Sequence, residues 1–268
     1  MVDETSDEFD DEGIESSRMP LVEHLSELRR RLLFSLIAFV VMFLACFYFA
    51  DTFFNFLVEP LAKIFKGQEG RRLIYTALHE KFFTNIKVAF FVAAFLSFPI
   101  MASQIWRFIA PGLFKREKRA FMPFLLATPV LFFAGGVFVY YVLLPVAWQF
   151  FSSFEQLADE SLLAITLEPK VNEYLSLVMR LIFAFGLSFE LPVVLLILVK
   201  VGMTSPEGLR KKRRYAIVVA FICAAVLTPP DPLSQLALAL PIILLYEASI
   251  LVAVQMMRGR EAEDASET

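Results

Sequence analysis

Apolar residues gather along the chain into six long blocks, at about 32–50, 82–105, 121–144, 172–199, 215–228 and 233–256, with short charged stretches between them. The hydrocarbon layer of a bilayer is roughly 30 Å thick, and a helix needs about 20 apolar residues to cross it. The pattern therefore predicts an all-α polytopic membrane protein with six transmembrane helices. The first block is read as an anchor that stays. Its acidic leader does not suit a signal peptide, and no small-residue cleavage site follows.

The fifth block stops abruptly at Thr228-Pro229-Pro230-Asp231-Pro232, because proline cannot continue a helix. Fourteen residues at 1.5 Å each rise only about 21 Å, so the last two spans are expected to be short and the bilayer to thin beside them. Prolines recur at 99, 111, 123, 129, 145, 192 and 241; each removes a backbone donor and bends its helix, which predicts a concave bundle. Leu57, Leu61 and Ile64 share a helical face within 51–81 and predict a short amphipathic helix against the membrane. Leu21, Leu25, Leu28 and Leu32 form a similar stripe after Pro20, expected to lie at the surface and lead into the first span.

Composition strengthens this picture. The 268 residues are 58% hydrophobic and 20% charged, with 30 Phe, which is more apolar surface than a soluble domain can hide from water. The net charge of -3 is an average over acidic ends. Both ends lack periodicity, so residues 1–18 and 258–268 are expected to be disordered acidic tails flanking a membrane domain over 19–257. Segments on the side of the termini carry seventeen Lys and Arg against six on the other side. That asymmetry places both termini in the cytoplasm.

Little catalytic chemistry is offered. Cys46 and Cys223 lie within apolar runs and read as small hydrophobes. His24 and His79 are the two histidines, and no HExxH or phosphate-cradling GxxxxGK[ST] pattern occurs. The expectation is a protein that is not an enzyme and has no metal, cofactor or nucleic-acid partner.

Five stretches carry a family resemblance: Leu21-Val22-Glu23-His24-Leu25-Ser26-Glu27-Leu28-Arg29-Arg30-Arg31; Gln104 to Arg119, which includes Phe108-Ile109-Ala110-Pro111-Gly112-Leu113; Ala184 to Pro192; Thr204 to Arg213; and Leu227 to Gln235. In this order, among six spans, they resemble the TatC family over roughly residues 20–257. The resemblance implies a signal-peptide receptor and core membrane component of the twin-arginine translocase in the bacterial cytoplasmic (inner) membrane. Such a protein works with the single-span partners TatA and TatB, other TatC copies and membrane lipids. It exports folded cargo bearing twin-arginine signals, using the proton-motive force.

Glu27 and Glu117 match the family's signal-peptide contacts, and the topology independently sets both at the cytoplasmic face. Each carboxylate can accept two parallel hydrogen bonds from a guanidinium, whereas a lysine offers only a point charge. Glu27 also has Arg31 four residues on, and Glu117 lies among bases, so local pairing competes with that role. Phe108 and Leu113 match positions that shape the contact, and His24 and Arg29 match positions that order the surface helix. For partners and translocation, Glu190 stands out as an ionisable residue inside a span. Gln235 beside the short hairpin is a polar contact for a partner helix, and Asp231 and Pro60 match outer-face positions. Arg180 departs from the family pattern, as does Glu59 before Pro60. The main alternative is a proton- or ion-coupled small-solute secondary transporter, which would use Glu190 and the prolines but gives Glu27 and Glu117 no purpose.

Overall fold

The computed structural model describes residues 21–66, 71–109, 118–155, 166–228 and 232–267. Its helices are α1 (Leu21–Tyr48), α2 (Ala50–Phe65), α3 (Glu80–Ile109), α4 (Lys118–Phe138), α5 (Leu144–Ser152), α6 (Val171–Phe189), α7 (Leu191–Lys200), α8 (Pro206–Lys211), α9 (Arg213–Leu227) and α10 (Pro232–Glu267). A π-helical turn, Val139–Leu143, joins α4 to α5 without breaking the span. Five stretches are long and apolar enough to cross a membrane: 25–48, 80–108, 122–152, 171–200 and 235–259. The sixth span is α9, whose 15 residues rise only about 22 Å. The all-α, six-span expectation holds, and so does the short fifth span; the sixth is not short, because Pro232 opens α10 and the apolar run that follows supplies a 25-residue stretch.

Three boundaries differ from the sequence reading. No break separates the entry stripe from the first span, since α1 runs unbroken for 28 residues. The third span continues past Pro145 to Ser152, and the π-helical turn Val139–Leu143 sits directly before the proline, where its missing N–H interrupts the α-helical ladder. Helix α10 carries on to Glu267, through the stretch read as an acidic tail. Glu261, Ala262, Glu263 and Ala265 are good helix formers that keep the turn going beyond the apolar block. Residues 1–18 lie outside the described residues.

Helix α1 packs chiefly on α3, where Phe39 meets Phe90 edge to face at 5.0 Å. Its other faces leave Leu32, Val41 and Leu44 more than 60% exposed, a surface suited to lipid. The centre is α3, α4 and α6. Phe132 is fully buried there and stacks on Phe98 at 3.6 Å. Glycines set how closely these helices approach. A Cβ on Gly135 of α4 would lie 2.5 Å from the Phe185 carbonyl oxygen of α6, and one on Gly186 would meet the Phe132 ring at 2.7 Å. Small residues at a crossing let two backbones pack directly where lipid supplies no hydrophobic drive.

Polar groups collect at two opposite ends. At one end lie the start of α1, the end of α3, α8 and the start of α9, where Arg213 pairs with Glu247 of α10 at 2.6 Å. Gly202 at φ 81° ends α7 there, and Ser205 caps α8 by accepting from the Gly208 N–H. At the other end α2 lies across the bundle with Leu57 and Leu61 buried, as its periodicity predicts. Two extended segments pair beside it: Val171 N–H donates to the Ile74 carbonyl at 2.9 Å and Ile74 N–H to Pro169 at 3.2 Å. Arg71 clasps Glu155 through both guanidinium nitrogens. Helices α2, α3 and α4 enclose an apolar recess of about 380 Å³ lined by Phe53, Phe91, Phe95 and Phe133.

Candidate functional site

The end holding the start of α1 carries the first group of candidate residues. Glu27, Arg29, Arg30 and Arg31 of α1 face Gln104 and Arg107 of α3 across a groove of about 860 Å³. The two helices run antiparallel, so the beginning of one meets the last turns of the other. Glu27 is half-buried and accepts from Arg31 Nε at 3.0 Å, with a second contact from the same guanidinium. The local i,i+4 partner is therefore engaged, as its spacing allows. Four arginines on the groove against one carboxylate make this described part strongly basic.

Phe108 lies half-buried in the last turn of α3, and Arg29 is exposed on the groove. His24 lies on the α1 backbone. Glu117, Leu113 and Asp231 fall outside the described residues. Gln104 and Arg107 were present in the quoted motif but had no role on sequence grounds. Their place on the groove depends on how α3 crosses α1, for which no local signal exists.

Glu190 sits between α6 and α7, ten residues from the end of that span. Its backbone N–H donates to the Leu187 carbonyl at 3.1 Å and its carbonyl accepts from Val194 at 3.0 Å. Among the described residues, Oε1 is buried without a hydrogen-bond partner, and so is Thr128 Oγ1 of α4, which stands beside this carboxyl. Thr128, a lone hydroxyl in an apolar run ahead of Pro129, was the available sequence clue to a polar pair across α4 and α7.

Gln235 donates through Nε2 to the Phe221 carbonyl of α9 at 3.3 Å, bridging the α9–α10 hairpin. Pro60 lies inside α2, and two tyrosines reach the carbonyls beside it: Tyr140 to Phe56 at 2.9 Å and Tyr174 to Leu57 at 3.0 Å. Glu59 is part of this cap. Lys63 at 3.0 Å, with the Tyr140 hydroxyl sharing its one hydrogen from 3.2 Å, holds its carboxyl below the usual carboxylate range. The predicted residues thus divide among three places: a groove at one end, a mid-span carboxyl, and a cap at the far end.

A family model for the Sec-independent protein translocase protein TatC matches residues 23–241. The TatC protein of Magnetococcus marinus is 50% identical over 250 residues, 93% of this chain and 89% of that protein. The TatC protein of Escherichia coli strain K12 is 41% identical over 246 residues, 91% of this chain and 92% of that one. A solved structure described as the twin arginine translocase receptor TatC, crystallised in DDM, superposes with a TM-score of 0.75 at 41% identity. It covers 86% of this chain and 99% of the solved one.

Proposed function

Because the chain belongs to the TatC family of Sec-independent protein translocase proteins, we propose that it is the receptor for twin-arginine signal peptides in folded-protein export. The observation that carries this reading is Glu27 on an open groove between α1 and α3, held there by nothing stronger than its own-helix neighbour Arg31. An i,i+4 ion pair contributes about 0.3–0.5 kcal/mol, whereas a hydrogen bond to a charged group contributes about 1.5–3 kcal/mol. An incoming arginine that engages the carboxylate through both its nitrogens outcompetes Arg31. A lysine, giving one point contact, does so far less well. Glu117 supplies the second carboxylate, so that each arginine of the signal has one. The long-range field of the groove is repulsive to arginines, so recognition is short-ranged and geometric. Phe108 and Leu113 take the apolar part of the signal beside them, while His24 and Arg29 order the start of α1.

In this reading the groove faces the cytoplasm, both termini lie there, and the host bilayer is the bacterial inner membrane. Residues 19–257 form the membrane domain. Glu190 beside Thr128, and Gln235 on the hairpin, are polar contacts for the single-span partners TatA and TatB; Pro60 and Asp231 belong to the outer face, where further TatC copies meet. The proton-motive force powers the step, and the chain itself catalyses no reaction. The solute-transporter alternative is set aside, since the relatives named above are translocase proteins.

Site-specific photocrosslinking at position 27 or 117 tests the receptor role. A twin-arginine signal peptide is expected to label both positions and a twin-lysine control neither. Equal labelling by the two peptides rejects the proposal.

A further inference from the structure

Arg180 is a cation inside a span for which translocation gives no task. It stands nine residues into α6, about 13 Å from the outer end of that helix. It has no ion-pair or hydrogen-bond partner among the described residues. By contrast, Lys87, a cation about two turns into α3, donates to Asn172 at 2.7 Å. A guanidinium at such depth is costly unless it reaches water or counter-charge.

The surroundings say what it reaches. Arg180 lines a notch of about 730 Å³ together with Trp148, Lys170, Leu177 and Thr228. Thr228 is the C-cap of the short α9, so the notch opens where that span stops early. The carboxylates at its rim are already paired with other cations, Glu168 with Arg72 at 3.7 Å and Glu173 with Lys170 of the same rim at 3.7 Å. The indole of Trp148 and the side chain of Leu177 line the same notch. Beside one guanidinium without an acceptor among the described residues, the wall is therefore apolar. A fitting occupant brings negatively charged oxygens joined to an apolar chain.

We propose that this notch binds an anionic phospholipid of the outer leaflet, with Arg180 on the phosphate oxygens and an acyl chain along Leu177. The guanidinium fork matches a phosphate better than an ammonium does. The short α9 thins the bilayer locally, which draws headgroups down towards a side chain that itself snorkels outward. Lipid is favoured over a soluble anion because the apolar wall has no use for the latter.

Native mass spectrometry of the full chain, released from vesicles of phosphatidylglycerol and phosphatidylcholine, tests this. The wild type is expected to retain phosphatidylglycerol selectively. R180Q should weaken that retention about tenfold or more, the loss of one charge-assisted contact, and R180K should weaken it less. K87Q, which removes the paired cation, should leave it unchanged. Gel-filtration profiles identify any variant that misfolds, and the R180K comparison then carries the test. Equal retention by wild type and R180Q overturns the proposal and redirects Arg180 to an acidic side chain of a partner. Displacement of the lipid by inorganic phosphate at millimolar concentration also overturns it, in favour of a soluble-anion site.

Discussion

Pro60 and Tyr140, 80 positions apart, meet at one carbonyl group. Proline at 60 has no N–H to give the Phe56 carbonyl four residues back, which leaves that acceptor orphaned inside α2. The Tyr140 hydroxyl supplies the missing donor at 2.9 Å, and its ring stacks on Phe56 with centroids 4.4 Å apart. The π-helical turn that begins at Val139 sets the direction of Tyr140 at this point. A helix-bending residue in the cap and an irregularity in the third span thus serve one hydrogen bond.

Tyr140→Phe keeps the stacked ring and removes only the donor. The expected cost is about 0.5–1.5 kcal/mol, the net contribution of one hydrogen bond, read as a lower unfolding midpoint in detergent. Adding Pro60→Ala restores an N–H to the same carbonyl, so the double variant should lose less than the sum of the two single ones. Strict additivity would show that the carbonyl is not shared.

The Arg71–Glu155 clasp predicts an acid sensitivity. The guanidinium, together with the Leu167 N–H at 2.7 Å, holds the Glu155 carboxyl below the usual carboxylate range. A carboxyl lowered in the folded state adds stability that is complete above its unfolded value, about 4.3. That stability disappears as pH falls through the lowered folded value. Unfolding midpoints of the wild type and Glu155→Gln should therefore differ at pH 7 and converge below about pH 4. A gap that stays constant with pH would remove the ion pair as its source.

Adjacent glycines in α4 should respond differently to alanine. At Gly135 the new Cβ meets backbone, 2.5 Å from the Phe185 carbonyl oxygen, while at Gly136 it meets the tip of the Phe95 side chain. A ring can swing aside and a helix axis cannot. Gly135→Ala is expected to cost about 1–3 kcal/mol or more by overpacking, and Gly136→Ala less. Thermal unfolding of the two purified variants ranks them directly.

If the groove between α1 and α3 binds the signal as proposed, Glu27→Gln should weaken binding of a twin-arginine peptide about ten- to hundredfold, the loss of one charge-assisted contact. Arg31→Ala should not weaken it, because Arg31 competes for the same carboxylate. Fluorescence anisotropy with a labelled peptide separates the two variants. Equal weakening would mean that the Glu27–Arg31 pair acts as a unit that shapes the groove.

Hydropathy and punctuation are properties of neighbouring residues, so the chain alone determined much of the architecture. The six blocks, the short α9 before its proline run, the amphipathic α2 with Leu57 and Leu61, and the sidedness of Lys and Arg all follow from local composition. The five motif stretches likewise carried the family in the order of their residues. The tertiary structure alone decided which distant groups meet: Tyr140 with the Phe56 carbonyl, Arg71 with Glu155, Gly135 with Phe185, and Glu27 with Gln104 and Arg107. Such partners depend on the rotation and depth of one helix against another. Those are set by packing summed over many side chains, and no single stretch of sequence contains that sum.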